Sequence, residues 1–119
     1  MSERQIFSGG CHCGQVRYQA RASLDRVIAC NCSICTKRGL LLTFVAGKDF
    51  DLLSGQDSLK DYQFGTKRIH HVFCAHCGVE AFARGAAPDG AEMVAVNVRC
   101  LDGVDPAALT PTPFDGKSL

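Results

Sequence analysis

The chain has no tryptophan, only four prolines and no excess of charge of either sign. Nor does any apolar run approach the ~20 residues that a membrane-spanning helix requires, so no membrane partner is expected. The N-terminus, Met1-Ser2-Glu3-Arg4-Gln5, carries no secretory apolar core, and the expected location is cytoplasmic. Thirteen basic residues stand against 12 acidic ones, a formal net charge of +1 scattered along the chain. Such a balance gives nucleic-acid binding no electrostatic support, and no nucleic-acid partner is expected. Disorder is excluded too, because hydrophobic residues make up 46% and charged residues 21% of the chain. At 119 residues and 12.8 kDa the expectation is one domain over residues 1–119 with a modest core. The sequence sets no oligomeric state.

What the chain does have is cysteine, eight of them, and 12 glycines. A reducing compartment keeps thiols free, and Cys11/Cys13 and Cys30/Cys32 are too close in sequence to reach disulfide geometry readily. Neighbours at that spacing chelate a metal instead. Cys30-Asn31-Cys32-Ser33-Ile34-Cys35 offers three sulfurs that can converge on one point, while Cys11-His12-Cys13 and Cys74-Ala75-His76-Cys77 together offer four. A structural zinc is closed by four protein ligands, and a catalytic zinc keeps three with a position open. The simplest division is one closed site and one open site. Cys100 is the eighth thiol, read either as a buried, inert side chain or as the group that closes the triple.

Alternation of Val16, Tyr18 and Ala20 with Arg17, Gln19 and Arg21 predicts a half-buried strand, paired with another over Arg4 to Gly10. The first cysteine pair then sits on a hairpin turn, with Gly14 allowing the backbone to curl round the sulfur. Cys32 to Arg38 is read as one helical turn ending at Gly39, which puts Cys32 and Cys35 on one side. Leu40 to Ala46 is apolar and of strand length, predicting a strand buried on both faces. Further strands are expected at Phe50 to Leu53, Leu59 to Phe64, Arg68 to Phe73, Val79 to Arg84 and Met93 to Val98. Asp105-Pro106 starts a single helical turn, and the tail with Pro111, Pro113 and Asp115-Gly116 is read as irregular. The predicted fold is all-β, two packed antiparallel sheets with zinc knuckles and little helix.

In order and spacing, Gly10-Cys11-His12-Cys13-Gly14, Cys30-Asn31-Cys32-Ser33-Ile34-Cys35 and Phe73-Cys74-Ala75-His76-Cys77-Gly78 resemble the glutathione-dependent formaldehyde-activating enzyme family, which also contains centromere protein V. The resemblance continues through Phe50 to Gly55, Arg84 to Gly90 and Asn97 to Gly103. It implies a β-tent domain with two zinc ions per chain. Cys11, Cys13, Cys74 and Cys77 would hold the structural zinc, and Cys30, Cys32 and Cys35 the catalytic one. The implied activity is a carbon–sulfur lyase reaction run in its synthetic direction, joining formaldehyde to glutathione as S-hydroxymethylglutathione. From Cys32 to Phe73 the chain is more similar to the centromere-protein-V branch.

Three thiolates on a zinc make a weak Lewis acid but a good partner for a fourth thiol, which the metal deprotonates at neutral pH. Glutathione or a glutathione adduct is therefore the expected small-molecule substrate. Its carboxylates call for cations near the triple, and Lys37, Arg38, Arg68 and Arg84 are the candidates. Proton transfer falls to His70, His71 or Lys37. On a strand His70 and His71 face opposite ways, so at most one reaches a given site, and a structural or solvated role is the competing reading for each. His12 and His76 sit between ligands and are expected to face solvent. Two other classes of function remain: a non-catalytic, zinc-stabilised protein-interaction module, and a thiol-based redox or metal-storage protein.

Overall fold

The computed structural model describes residues 4–118. The chain runs β1 (Gln5–Gly10), β2 (Arg17–Ala22), β3 (Ile28–Cys30), α1 (Ser33–Arg38), β4 (Leu42–Ala46), β5 (Phe50–Ser54), β6 (Leu59–Tyr62), β7 (His70–Cys74), β8 (Phe82–Ala86), β9 (Glu92–Asn97) and β10 (Thr112–Phe114). Two sheets result, a small one in the order β1-β2-β5 and a large one in the order β10-β3-β4-β9-β8-β7-β6. Neighbours are antiparallel except β10, which pairs parallel to β3 through Thr112↔Ile28 and Phe114↔Cys30. Here the tail expectation is corrected. Pro113 hid a strand that lies at the sheet edge, where a missing N–H costs no ladder bond.

Period-2 alternation does the packing. Tyr18, Ala20 and Ala22 of β2 turn inward, and the rings of Tyr18, Phe50 and Phe82 meet with centroids 4.7–5.8 Å apart. Val16, Val94, Val96 and Val98 are fully buried around them. Tyr18 reaches across the core and its hydroxyl donates to the Ala81 carbonyl at 3.2 Å, which satisfies the one polar atom that this ring carries inward.

On the opposite face of the large sheet the register aligns Phe44 with Ala95, Ala95 with Ala83 and Ala83 with His71. Two alanines in the middle of that row leave a hollow that larger side chains would fill. β4 is therefore not buried on both faces as expected, because Phe44, 50% exposed, stands at the edge of this hollow. Asp105 caps its predicted turn, accepting from Ala107 N at 3.0 Å with Pro106 at the first position. Among the described residues no helix is long and apolar enough to cross a membrane.

Candidate metal centres and the adjoining cavity

The β1–β2 turn and the β7–β8 turn bring four thiols together. Sγ atoms of Cys11 and Cys13 lie 3.6 Å apart, as do those of Cys13 and Cys74, and all four with Cys77 fall within 4.8 Å of one another. Bonds of ~2.3 Å to zinc place sulfurs about 3.8 Å apart at the corners of a tetrahedron, so the spacing fits that ion. Backbone amides aim at the sulfurs: Val16 N donates to Cys11 at 3.3 Å and His76 N to Cys74 at 3.4 Å. Gly14 (φ 84°) and Gly78 (φ 79°) make these curls possible. A Cβ at either would meet nothing within 4 Å, so the backbone conformation is what selects glycine.

Burial acts to raise the Cys77 thiol, but hydrogen bonds from the Val79 and Cys13 amides and from Cys11 and Cys74 outweigh it and hold the thiol down to about 6. Such a group gives up its proton readily to a metal. His12 and His76 are exposed, as expected.

Cys30 ends β3, Cys32 caps α1 and Cys35 lies within it, and these three sulfurs also fall within 4.8 Å of one another. Cys32 N donates to Cys30 Sγ at 3.4 Å. The helix stops at Gly39 (φ 66°), and Ile34, Leu40 and Leu42 pack a small apolar cluster against the cysteines. All eight cysteines are free. Among the described residues Cys100 belongs to neither cluster; it packs against the main core, where burial pushes its thiol up to about 11.

The triple opens onto a cavity of about 910 Å³, and Cys30, Cys32 and Cys35 are part of its wall together with His71 and Glu80. The two adjacent histidines part as alternation requires. His70 is exposed and pairs with Asp61 at 2.6 Å, while His71 is buried and its Nδ1 meets Glu80 Oε2 at 2.9 Å. The second oxygen of Glu80 accepts from Arg38 Nη1 at 2.5 Å, and this carboxylate is 1% exposed. Phe64 stacks on the His71 ring at 5.6 Å.

Of the cations expected beside the triple, only Arg68 lines the cavity. Arg38 is turned to Glu80 and lies over the Phe73 ring at 5.2 Å. Lys37, exposed on α1, is two residues past Cys35 and so roughly on the far side of the helix. Arg84 neighbours Ala83 on β8 and therefore faces away from the cavity, over Phe50 and Phe82 and paired with Glu92. Sequence reasoning missed three arginines that do line it, Arg4, Arg21 and Arg26, and it missed Glu80. The signal for Glu80 was present: a single carboxylate in the apolar run 79–83 needs a buried partner.

Two β-sheets, with four cysteines gathered by two of their turns and three more by the end of β3 and α1, define a small cysteine-rich β domain fitted for zinc. The chain belongs to the glutathione-dependent formaldehyde-activating enzyme family, whose profile matches residues 6–113. It is also similar to the crystal structure of a Rhodobacter sphaeroides protein, with 32% sequence identity, a TM-score of 0.80 and coverage of 89% of this chain and 97% of that one. The expected family, the two-sheet all-β class and the link to glutathione chemistry through the family are thereby met.

Proposed function

We propose that this chain, acting as one domain, is a zinc-dependent carbon–sulfur lyase that joins the thiol of glutathione to an aldehyde and takes the adduct apart in reverse. The carrying observation is that three cysteines, one short of a closed set, share a cavity wall with a histidine whose Nδ1 is already held by a buried carboxylate. Cys11, Cys13, Cys74 and Cys77 would hold one zinc and stabilise the fold, and Cys30, Cys32 and Cys35 would hold a second. The chemistry zinc supplies at the second site, when bound, is a lowered pKa for an incoming thiol.

The chain's own residues do the rest. Arg21, Arg26 and Arg68 offer cationic groups to the two carboxylates of glutathione, while Arg4 on the same lining is paired with Asp49 at 2.9 Å. As the C–S bond forms, His71 hands a proton from Nε2 to the aldehyde oxygen, and it recovers that proton when the adduct breaks. Glu80 fixes the ring through Nδ1, while Arg38 holds Glu80 in place. Stacking of Phe64 limits rotation of the imidazole.

The test is exchange NMR of formaldehyde and glutathione with zinc-loaded protein. Faster exchange that is lost in Cys32→Ser, with far-UV circular dichroism unchanged, supports the reading. No acceleration by the unaltered protein with either formaldehyde or a longer-chain aldehyde overturns it.

A further inference from the structure

Four large apolar side chains that the fold leaves exposed, Phe44 (50%), Phe64 (39%), Ile69 (50%) and Phe114 (43%), converge on this one cavity. They come from separate places, namely β4, the segment between β6 and β7, the approach to β7, and β10. Ala83 and Ala95 keep the floor between them low. Exposed apolar surface gathered in a concave site marks a binding surface. Glutathione does not explain it, because its amides, ammonium and carboxylates have little to pack on such walls, and a hydroxymethyl group adds a single carbon.

We infer that the aldehyde handled at this site carries a large apolar group, so that the adduct is a hemithioacetal of glutathione with a medium-chain aldehyde. This rests on the reading of the site given above and names its substrate class. Charge and polarity divide the ligand: the exposed Arg21, Arg26 and Arg68 on the same lining meet the peptide carboxylates, and the apolar walls meet the aldehyde's chain. The reaction balances without an oxidant. The thiol adds across the carbonyl, the C–S bond forms, and the sulfur's proton ends on the carbonyl oxygen, which becomes the hydroxyl of the adduct; in reverse the same bond breaks and the aldehyde and thiol are released.

Calorimetric titration of zinc-loaded protein with S-methyl-, S-butyl- and S-hexylglutathione tests this without relying on turnover. Each methylene buried in the cavity tightens binding about fourfold, so the expected gain from methyl to butyl is at least tenfold. Phe44→Ser, at a half-exposed position that the core does not need, should shrink the preference for hexyl over methyl. Equal affinity for all three ligands overturns the inference and leaves glutathione as the thiol. No binding at any length overturns both readings. Affinity that climbs with chain length in a protein that fails to accelerate formaldehyde exchange upholds the apolar substrate and removes formaldehyde. A dimer that dissociates in Phe44→Ser overturns the inference in favour of a second copy covering these side chains.

Discussion

Gly116→Ala isolates the second cysteine cluster from the first. A Cβ at Gly116 would lie 2.4 Å from Cys30 Sγ and 3.5 Å from Cys32 Cβ, so something must move by more than 1 Å to restore an ordinary contact. Cys30 has little room to give, because it ends β3, its sulfur accepts from Cys32 N, and its position sets the spacing of the triple. The tail is tied down as well. Asn31 N donates to the Phe114 carbonyl at 3.0 Å, Asn31 Nδ2 to Asp115 at 2.9 Å, and Lys117 N to Asn31 Oδ1 at 2.9 Å.

Either the tail lifts or the sulfur shifts. Lifting forfeits up to three hydrogen bonds at ~1 kcal/mol each, which puts the cost at about 1–3 kcal/mol. Shifting exceeds the ±0.2 Å that metal–ligand distances tolerate. The assay is zinc retention against a graded chelator. Unaltered protein should hold two zinc ions, and Gly116→Ala should keep one tightly while the other is released at chelator concentrations at least about tenfold lower, the equivalent of 1.4 kcal/mol. Equal retention of both ions, with an unchanged melting temperature, would refute the seating of the tail on Cys30.

Cys77→Ser should unfold the domain, since binding energy at a closed zinc site is folding energy, whereas Cys32→Ser should melt within a few degrees of the unaltered chain; circular dichroism melts decide. Glu80→Gln should lower kcat about 10–100-fold with KM nearly unchanged, because it keeps the shape but removes the charge that steadies His71. Glu80→Ala should cost about 3 kcal/mol in urea unfolding, as it strands a buried imidazole and Arg38 together. Iodoacetamide should leave Cys100 unmodified in zinc-loaded protein at pH 7. Burial raises this acid, so the thiol stays protonated and unreactive well above the usual range, and labelling should grow only as the pH is taken towards about 11, read by mass spectrometry.

The clusters were legible because chelation at Cys11/Cys13, Cys30/Cys32/Cys35 and Cys74/Cys77 is a local matter of spacing. Gly14, Gly39 and Gly78 announced the turns that present them, and all three have positive φ. β10 was not legible: three residues with a central proline carry no pattern of their own, and only the distant edge of β3 makes them a strand. The same limit misplaced Arg84. Alternation says that Ala83 and Arg84 face opposite ways, but which face lines a cavity depends on the strands alongside, and those are ordered by contacts far apart in sequence.

Alternation left the two histidines equally ambiguous, and Glu80 resolves them. A carboxylate that is 1% exposed has to be paired, and its two oxygens accept from Arg38 and His71. The pairing commits the imidazole's Nδ1, so any proton exchanged with the cavity must pass through Nε2. His70 commits its own Nδ1 to Asp61 in the same way, but it is exposed and does not line the cavity. A single acidic residue in an apolar strand approach thus distinguishes the two histidines and occupies one ring nitrogen of the buried one, leaving the other as the nitrogen that the proposed proton transfer would use.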